Sequence, residues 1–144
     1  MENASKALLI AAGTLIAVLI LSLFVYLYIQ MNSFSHTYNS RIASQKLHAF
    51  NVQFEVYNGR DDLTPQDLVS VANLAKEYND KNNLSNGDNR FIKVTVSING
   101  YPVDLINQNK FEFMQQYSND RFKCNRLQYN TETEKVNEIQ FTKQ

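Results

Sequence analysis

The sequence predicts an α+β fold in which a long N-terminal helix packs with a second helix and a small antiparallel β-sheet. Three observations predict it: an uncharged apolar run near the N-terminus, apolar residues at helical spacing after that run, and strict alternation of apolar and polar residues over 92–98. The chain has 144 residues, the size of one domain with a short appendage. We expect a transmembrane helix over residues 1–31 and a soluble α+β domain over residues 32–144.

The apolar run covers residues 7–29, and the chain has no Asp, Glu, Lys or Arg between Lys6 and Arg41. At 1.5 Å per residue this helix is about 34 Å long, enough to cross a hydrocarbon core of about 30 Å. A cleaved secretory signal has a shorter apolar core that ends in small residues, where this chain has the bulky residues 24–28. The run therefore predicts an uncleaved single-pass anchor.

The charges around this run give little indication of its orientation in the membrane. Lys6 and the N-terminal amine on one side nearly balance Arg41 and Lys46 on the other, so the cation rule for topology decides little. Because a six-residue leading tail has no evident function that requires export, we expect the N-terminus in the cytoplasm and the C-terminal domain outside it.

Small residues within the run predict contacts between helices. Ala7, Ala11 and Thr14 fall on one face, while Gly13 and Ala17 form a small-xxx-small pair on a neighbouring face. Small residues let two helices approach closely in lipid, although Ala and Gly are also common in membrane helices in general. With the larger residues between them, the predicted self-association site consists of Ala7, Ala11, Gly13, Thr14, Leu15, Ala17, Val18 and Leu19.

The helical pattern continues past the apolar run. Its apolar positions, mostly three or four residues apart, are Phe34, Tyr38, Ile42, Leu47, Phe50, Phe54 and Tyr57. Asn58-Gly59 then supplies residues that end helices. We expect residues 32–58 to continue the helix as an amphipathic segment packed on the domain. A kink within residues 31–40 is an alternative, because Ser, Thr and Asn are poor helix formers.

Residues 64–80 carry the signals of a second helix. Thr64 suits the N-cap, Pro65 the first helical position and Asp67 the third. Leu63 and Leu68 have the spacing of a hydrophobic staple.

Residues 91–144 are expected to form two hairpins and a short helix. Apolar and polar residues alternate over 92–98, and Asn99-Gly100 is a favoured two-residue hairpin turn. Pro102 places the return strand at a sheet edge. The other expected elements are the return strand over 101–106, a helix over 108–118, and a second hairpin of 122–129 and 136–141 around a polar turn.

Composition and motifs argue against several function classes. Lys+Arg and Asp+Glu are both 14, without the cation surplus of a nucleic-acid binder. Cys124 is the single cysteine, which excludes an internal disulfide and a thiolate zinc cage. His36 and His48 lack partners at ligand spacing, and no nucleophile-elbow, zinc-protease, phosphate-loop or dinucleotide motif occurs. We expect a non-enzymatic protein with no cofactor, no metal and no nucleic-acid partner.

The predicted layout resembles that of type IV pilins and pseudopilins. Their long N-terminal helix is apolar in its first half and packs on an antiparallel sheet with its second half. The resemblance rests on layout, since Glu2 precedes the apolar run and the run contains no carboxylate. It implies a filament whose core is a bundle of apolar helices and whose wall is made of globular domains.

A second resemblance rests on short segments. Residues 2–8, and residues 50–59 followed by the capped helix, are similar to a group of single-pass membrane proteins of Gram-positive bacteria. No activity is known for that group, and the resemblance implies a bacterial membrane protein.

Two functional hypotheses follow. The first is a structural subunit that self-assembles through its apolar helix into a pilin-like extracellular filament, with other copies and the lipid bilayer as partners. The second is a monomeric anchored accessory domain of a secretion, envelope or phage-related system that binds another protein. Filaments favour the first hypothesis, and unlike co-purifying partners favour the second.

Overall fold

A computed structural model describes residues 2–144, so Met1, the first residue of the predicted membrane segment, lies outside the described residues. The elements are helix α1 (Glu2–Glu55), helix α2 (Pro65–Lys81), strand β1 (Lys93–Ile98), strand β2 (Tyr101–Asp104), helix α3 (Lys110–Gln116), strand β3 (Phe122–Tyr129) and strand β4 (Val136–Lys143). This order of long helix, second helix and four-stranded sheet is an α+β fold, as predicted.

The chain divides into two compact units, one ending at Gln45 and the other running over Lys46–Gln144. In the first unit the backbone is helical throughout residues 2–45, including residues 31–40 with their many poor helix formers. The hydroxyls of Thr37 and Ser40 there donate to backbone carbonyls one turn earlier, each at 2.9 Å. These bonds satisfy the hydroxyls inside the helix, so they do not compete with its backbone bonds.

The sheet of the second unit has the strand order β2-β1-β4-β3. The predicted hairpins are present, since β1–β2 and β3–β4 are antiparallel pairs. The expectation of a wholly antiparallel sheet is wrong, because β1 and β4 pair in parallel, with Val94 beside Ile139 and Val96 beside Phe141. The chain between these strands includes β2, α3 and β3, and it is long enough to make the crossover that parallel neighbours require.

The core of the second unit lies on one face of the sheet. Val94, Val96, Ile139 and Phe141 on the two central strands are 0–1% exposed. The apolar stripe of α2 completes this core with Leu68, Val71, Ala72 and Ala75, each 0% exposed. The alternation over 92–98 therefore identifies Val94 and Val96 as buried positions, and the buried residues of α2 recur three and four positions apart, as on one face of a helix.

The last turns of α1 belong to the second unit and join its core. Phe54 is 1% exposed, and Phe50 packs against the core beside Tyr78, with ring centroids 4.8 Å apart. The predicted stripe does not pack over its whole length, however, because Phe34 and Tyr38 in the first unit are 72% and 55% exposed. Helical spacing marks an apolar face, but only tertiary contacts bury it.

Local signals are confirmed at three points. Thr64 and Asp67 form the capping box of α2, in which the Thr64 backbone N–H donates to the Asp67 carboxylate at 2.8 Å and the Asp67 N–H donates to Thr64 Oγ1 at 3.3 Å. Asn99 and Gly100 both have positive φ, 53° and 85°, as a type I′ turn requires. Pro102 lies on the edge strand β2.

Three buried asparagines, which the sequence interpretation did not single out, join the elements of the second unit. Asn51 on α1 donates to Glu134 O at 2.8 Å and accepts from Val136 N at 3.0 Å. Asn79 on α2 donates to Ile92 O at 3.0 Å and accepts from Ile92 N at 2.9 Å. Asn130 accepts two backbone N–H bonds within the β3–β4 turn and donates to the carbonyl of residue 89 at 2.7 Å.

Candidate self-association surface

The largest exposed apolar surface of the protein is the first part of α1. From Leu8 to Ile29 its large apolar and aromatic side chains are 49–76% exposed. Monomers in water rarely expose apolar patches of more than a few hundred Å², and larger patches mark contacts with lipid or with other proteins. By length and composition α1 could cross a bilayer, so the chain is compatible with a single-pass membrane protein.

The polar side chains within the run are bonded inside the helix. Thr14 Oγ1 donates to Ala11 O at 2.9 Å, and Ser22 Oγ donates to Val18 O at 2.8 Å. An unsatisfied hydroxyl in hydrocarbon costs several kcal/mol. Since both hydroxyls have partners, neither opposes insertion into lipid.

Five of the eight predicted site residues line one shallow groove of about 350 Å³: Ala11, Thr14, Leu15, Val18 and Leu19. Ala7, Gly13 and Ala17 are not among its lining residues. At 100° per residue, Gly13 and Ala17 lie more than about 90° around the helix from Val18. The predicted site residues therefore occupy two faces of the helix, as their spacing in the sequence indicates.

Gly13 lies on open helix surface. Among residues 2–144, no atom lies within 4 Å of a Cβ built at this glycine, apart from its chain neighbours and the adjoining helix backbone. A larger side chain there meets only what surrounds the helix, which is lipid or another chain. A substitution at Gly13 therefore tests contacts between copies without a clash inside the described part of the chain.

A second groove, of about 570 Å³, lies nearer the end of the apolar run and is lined by Phe24, Val25, Leu27, Tyr28 and Met31. The sequence interpretation did not assign these residues to a site. Phe24 and Tyr28, two aromatic residues four positions apart, are the sequence feature that could have indicated one. Both grooves are lined by apolar residues and Thr14, so their chemistry is that of van der Waals contact with lipid or a neighbouring helix.

Burial and hydrogen bonds shift the pKa values of several titratable side chains. Cys124 is 2% exposed, and burial raises the pKa of its thiol, which makes the thiolate scarce. Arg60 and Arg90 hydrogen-bond the carboxylates of Asp62 and Asp88 and lower their pKa values. Within residues 2–144 the structure contains no cluster of three or more His, Cys, Asp or Glu residues that could hold a metal ion.

Two small pockets lie in the second unit. One, of about 220 Å³, is lined by Phe50, Gln53, Phe54, Leu74, Glu77, Tyr78 and Lys81. The other, of about 170 Å³, is lined by Asn86, Phe91, Lys93, Thr95 and Asp104. Ligand sites for small molecules span roughly 300–1,000 Å³, so neither pocket is large enough for such a ligand. The apolar part of α1 is the stronger candidate for a functional surface.

Comparison with protein-family models, with curated proteins and with solved structures finds no match to this chain. The layout of a long N-terminal helix whose last turns pack with a small mixed sheet is compatible with that of pilins. The functional argument therefore rests on the residues and their arrangement.

Proposed function

We propose that the protein is a non-enzymatic structural subunit, anchored by a single membrane span and self-assembling through α1. The observation that carries the proposal is the continuous exposure of large apolar side chains from Leu8 to Ile29. Removing apolar surface from water stabilises by roughly 25 cal/mol per Å², which drives this segment into lipid. Within lipid, close packing of helices then supplies the cohesion between copies.

In its finer form the proposal is a pilin-like extracellular filament that displays residues 46–144 outside the cytoplasm. Two features support it. The second unit has its own apolar core, so it can be displayed as a folded module. The chain carries no Asp, Glu, Lys or Arg between Lys6 and Arg41, so apolar runs bundled together would bury no carboxylate, ammonium or guanidinium charge.

The test uses bulky substitutions on the open helix surface. Gly13→Leu and Ala17→Leu should reduce the oligomeric fraction of the full chain in mild detergent several-fold, because the larger side chains hold neighbouring helices apart. Ala12→Leu is the matched control, since it makes the same kind of change about 100° around the helix from Gly13 and about 140° from Ala17. The readouts are size-exclusion chromatography with light scattering, and electron microscopy of sheared cell-surface material.

A wild-type chain that is monomeric at every concentration, or variants with unchanged oligomer size, would contradict self-assembly. The second candidate is a monomeric anchored domain that binds another protein, and the independent core of the second unit favours it. In that case the chain should purify from membranes as one copy bound to unlike proteins, with no filaments in the micrographs.

A further inference from the structure

A stripe of apolar residues continues on α1 beyond the expected membrane segment. It consists of Phe34, Tyr38 and Ile42, which we call the juxtamembrane stripe. Phe34 and Tyr38 are 72% and 55% exposed, and their rings stack with centroids 6.1 Å apart. Two adjoining exposed aromatic rings on an otherwise polar helical segment need a partner to remove them from water.

Lipid does not reach the outer part of this stripe. With residues 7–29 in the hydrocarbon, Tyr38 stands about 13 Å and Ile42 about 19 Å beyond its edge, at 1.5 Å per residue. The polar headgroup layer adds only about 5–8 Å on each side of the hydrocarbon. A partner that covers the exposed ring of Tyr38 would therefore be protein rather than lipid.

The stripe lies on the same side of the helix as one of the two predicted faces. At 100° per residue, Gly13 and Met31 share one direction, and Tyr38 lies within about 20° of it. Ala11, which lines the 350 Å³ groove, lies about 180° from Tyr38. A single seam thus runs from Gly13 and Ala17 through Phe24 and Met31 to the juxtamembrane stripe, about four heptads long.

The polar residues around the stripe also favour a second copy. Asn32, Ser35 and Asn39 flank it without charge, and the first charge after Lys6 is Arg41. From Gly13 to Tyr38, two identical helices can therefore meet without like-charge repulsion, and Arg41, about 60° around the helix from Tyr38, lies at the edge of the seam. Both copies enter the bilayer from the same side, so a continuous seam aligns them in parallel and in register.

We infer that a second copy of this chain packs in parallel along the seam from Gly13 to Ile42, with the juxtamembrane stripe as its part outside the membrane. The inference rests on the proposed self-assembly. It adds which face makes the contact, since it assigns the contact to the Gly13 side and leaves the Ala11 groove to lipid or to further copies.

Single cysteines test the seam in the purified full chain, reconstituted in phosphatidylcholine–phosphatidylglycerol vesicles. Phe34→Cys and Tyr38→Cys lie on the seam, while His36→Cys and Ser40→Cys lie on the far side at matched distances from the membrane. Disulfides require Cα atoms within about 7 Å, whereas far-side positions in a helix pair are separated by about 13 Å. The wild-type chain, whose Cys124 is buried, gives the background.

On mild oxidation the two seam variants should form roughly tenfold more disulfide dimer than the two far-side variants, by the same distance argument. Met31→Cys is a second seam position, in case a ring at 34 or 38 is needed for packing. Equal crosslinking at all positions, stronger crosslinking at 36 and 40, or no dimer anywhere would overturn the seam. Light scattering on the same variants in mild detergent separates the two proposals, because oligomers without the seam pattern refute only the seam.

Discussion

Asn79 shows what one buried amide contributes to the second unit. The side chain is 2% exposed and makes two hydrogen bonds, to the N–H and the carbonyl of Ile92, just before β1 begins. An amide offers a donor and an acceptor together, so it can replace the strand partner that Ile92 lacks at this end of the sheet. Asn51 makes an equivalent pair of bonds with Glu134 O and Val136 N, where β4 begins.

Replacing Asn79 by Asp should destabilise the second unit by about 2–4 kcal/mol near pH 7, because the carboxylate has no donor for Ile92 O and loses its hydration. The deficit should shrink as the pH falls towards about 4, since a protonated carboxyl regains a donor. Urea denaturation followed by circular dichroism measures it. Asn73→Asp, at an exposed position on the same helix, is the control. Equal destabilisation by the two substitutions would show that the Asn79–Ile92 hydrogen bonds do not stabilise the second unit.

Among the secondary-structure elements, α2 begins at the position that its capping residues predict. The capping box of Thr64 and Asp67 satisfies N-terminal backbone donors, and Pro65 takes the first helical position. Leu63 and Leu68, the staple pair, are both 0% exposed. These signals act over four or five residues, which is why the sequence located this helix start correctly.

Thr64→Ala should cost about 1 kcal/mol of unfolding free energy, because the Asp67 N–H loses its side-chain acceptor. Thr64→Ser keeps the hydroxyl and should stay within about 0.5 kcal/mol of the wild type. The measurement is the urea midpoint of each variant at a fixed slope. If the Ala and Ser variants were equally stable, the cap would contribute nothing to this helix.

The whole molecule consists of two compact units. The first is a helix with exposed large apolar side chains over most of its length, and the second has a closed core built from α2, the sheet and the end of α1. Membrane insertion and contacts between copies are properties of the first unit in our proposal. Folding cooperativity is a property of the second.

Residues 46–144 expressed alone should therefore fold and remain monomeric in aqueous buffer without detergent, because their core residues lie within that range. The full chain should need detergent or lipid under the same conditions. Analytical ultracentrifugation and thermal unfolding of both forms measure this difference. A fragment that oligomerises like the full chain would place self-association outside α1 and contradict the proposed function.

The sequence by itself determined those features that depend on neighbouring residues. These are the apolar run, the start of α2, the Asn99-Gly100 turn and the two hairpins, and each follows from composition, periodicity, capping or turn chemistry within one continuous stretch of chain. The candidate surface belongs to this group only in part, since helical spacing identified small residues but could not choose between their two faces.

Only the tertiary structure decided the parallel pairing of β1 with β4, the hydrogen bonds of the buried asparagines and the exposure of Phe34 and Tyr38. Each of these depends on residues 13 or more positions apart in the chain meeting, or failing to meet, in space. An apolar or amide side chain has the same local pattern whether it is buried or exposed. Its surroundings in the folded chain are what separate the two outcomes.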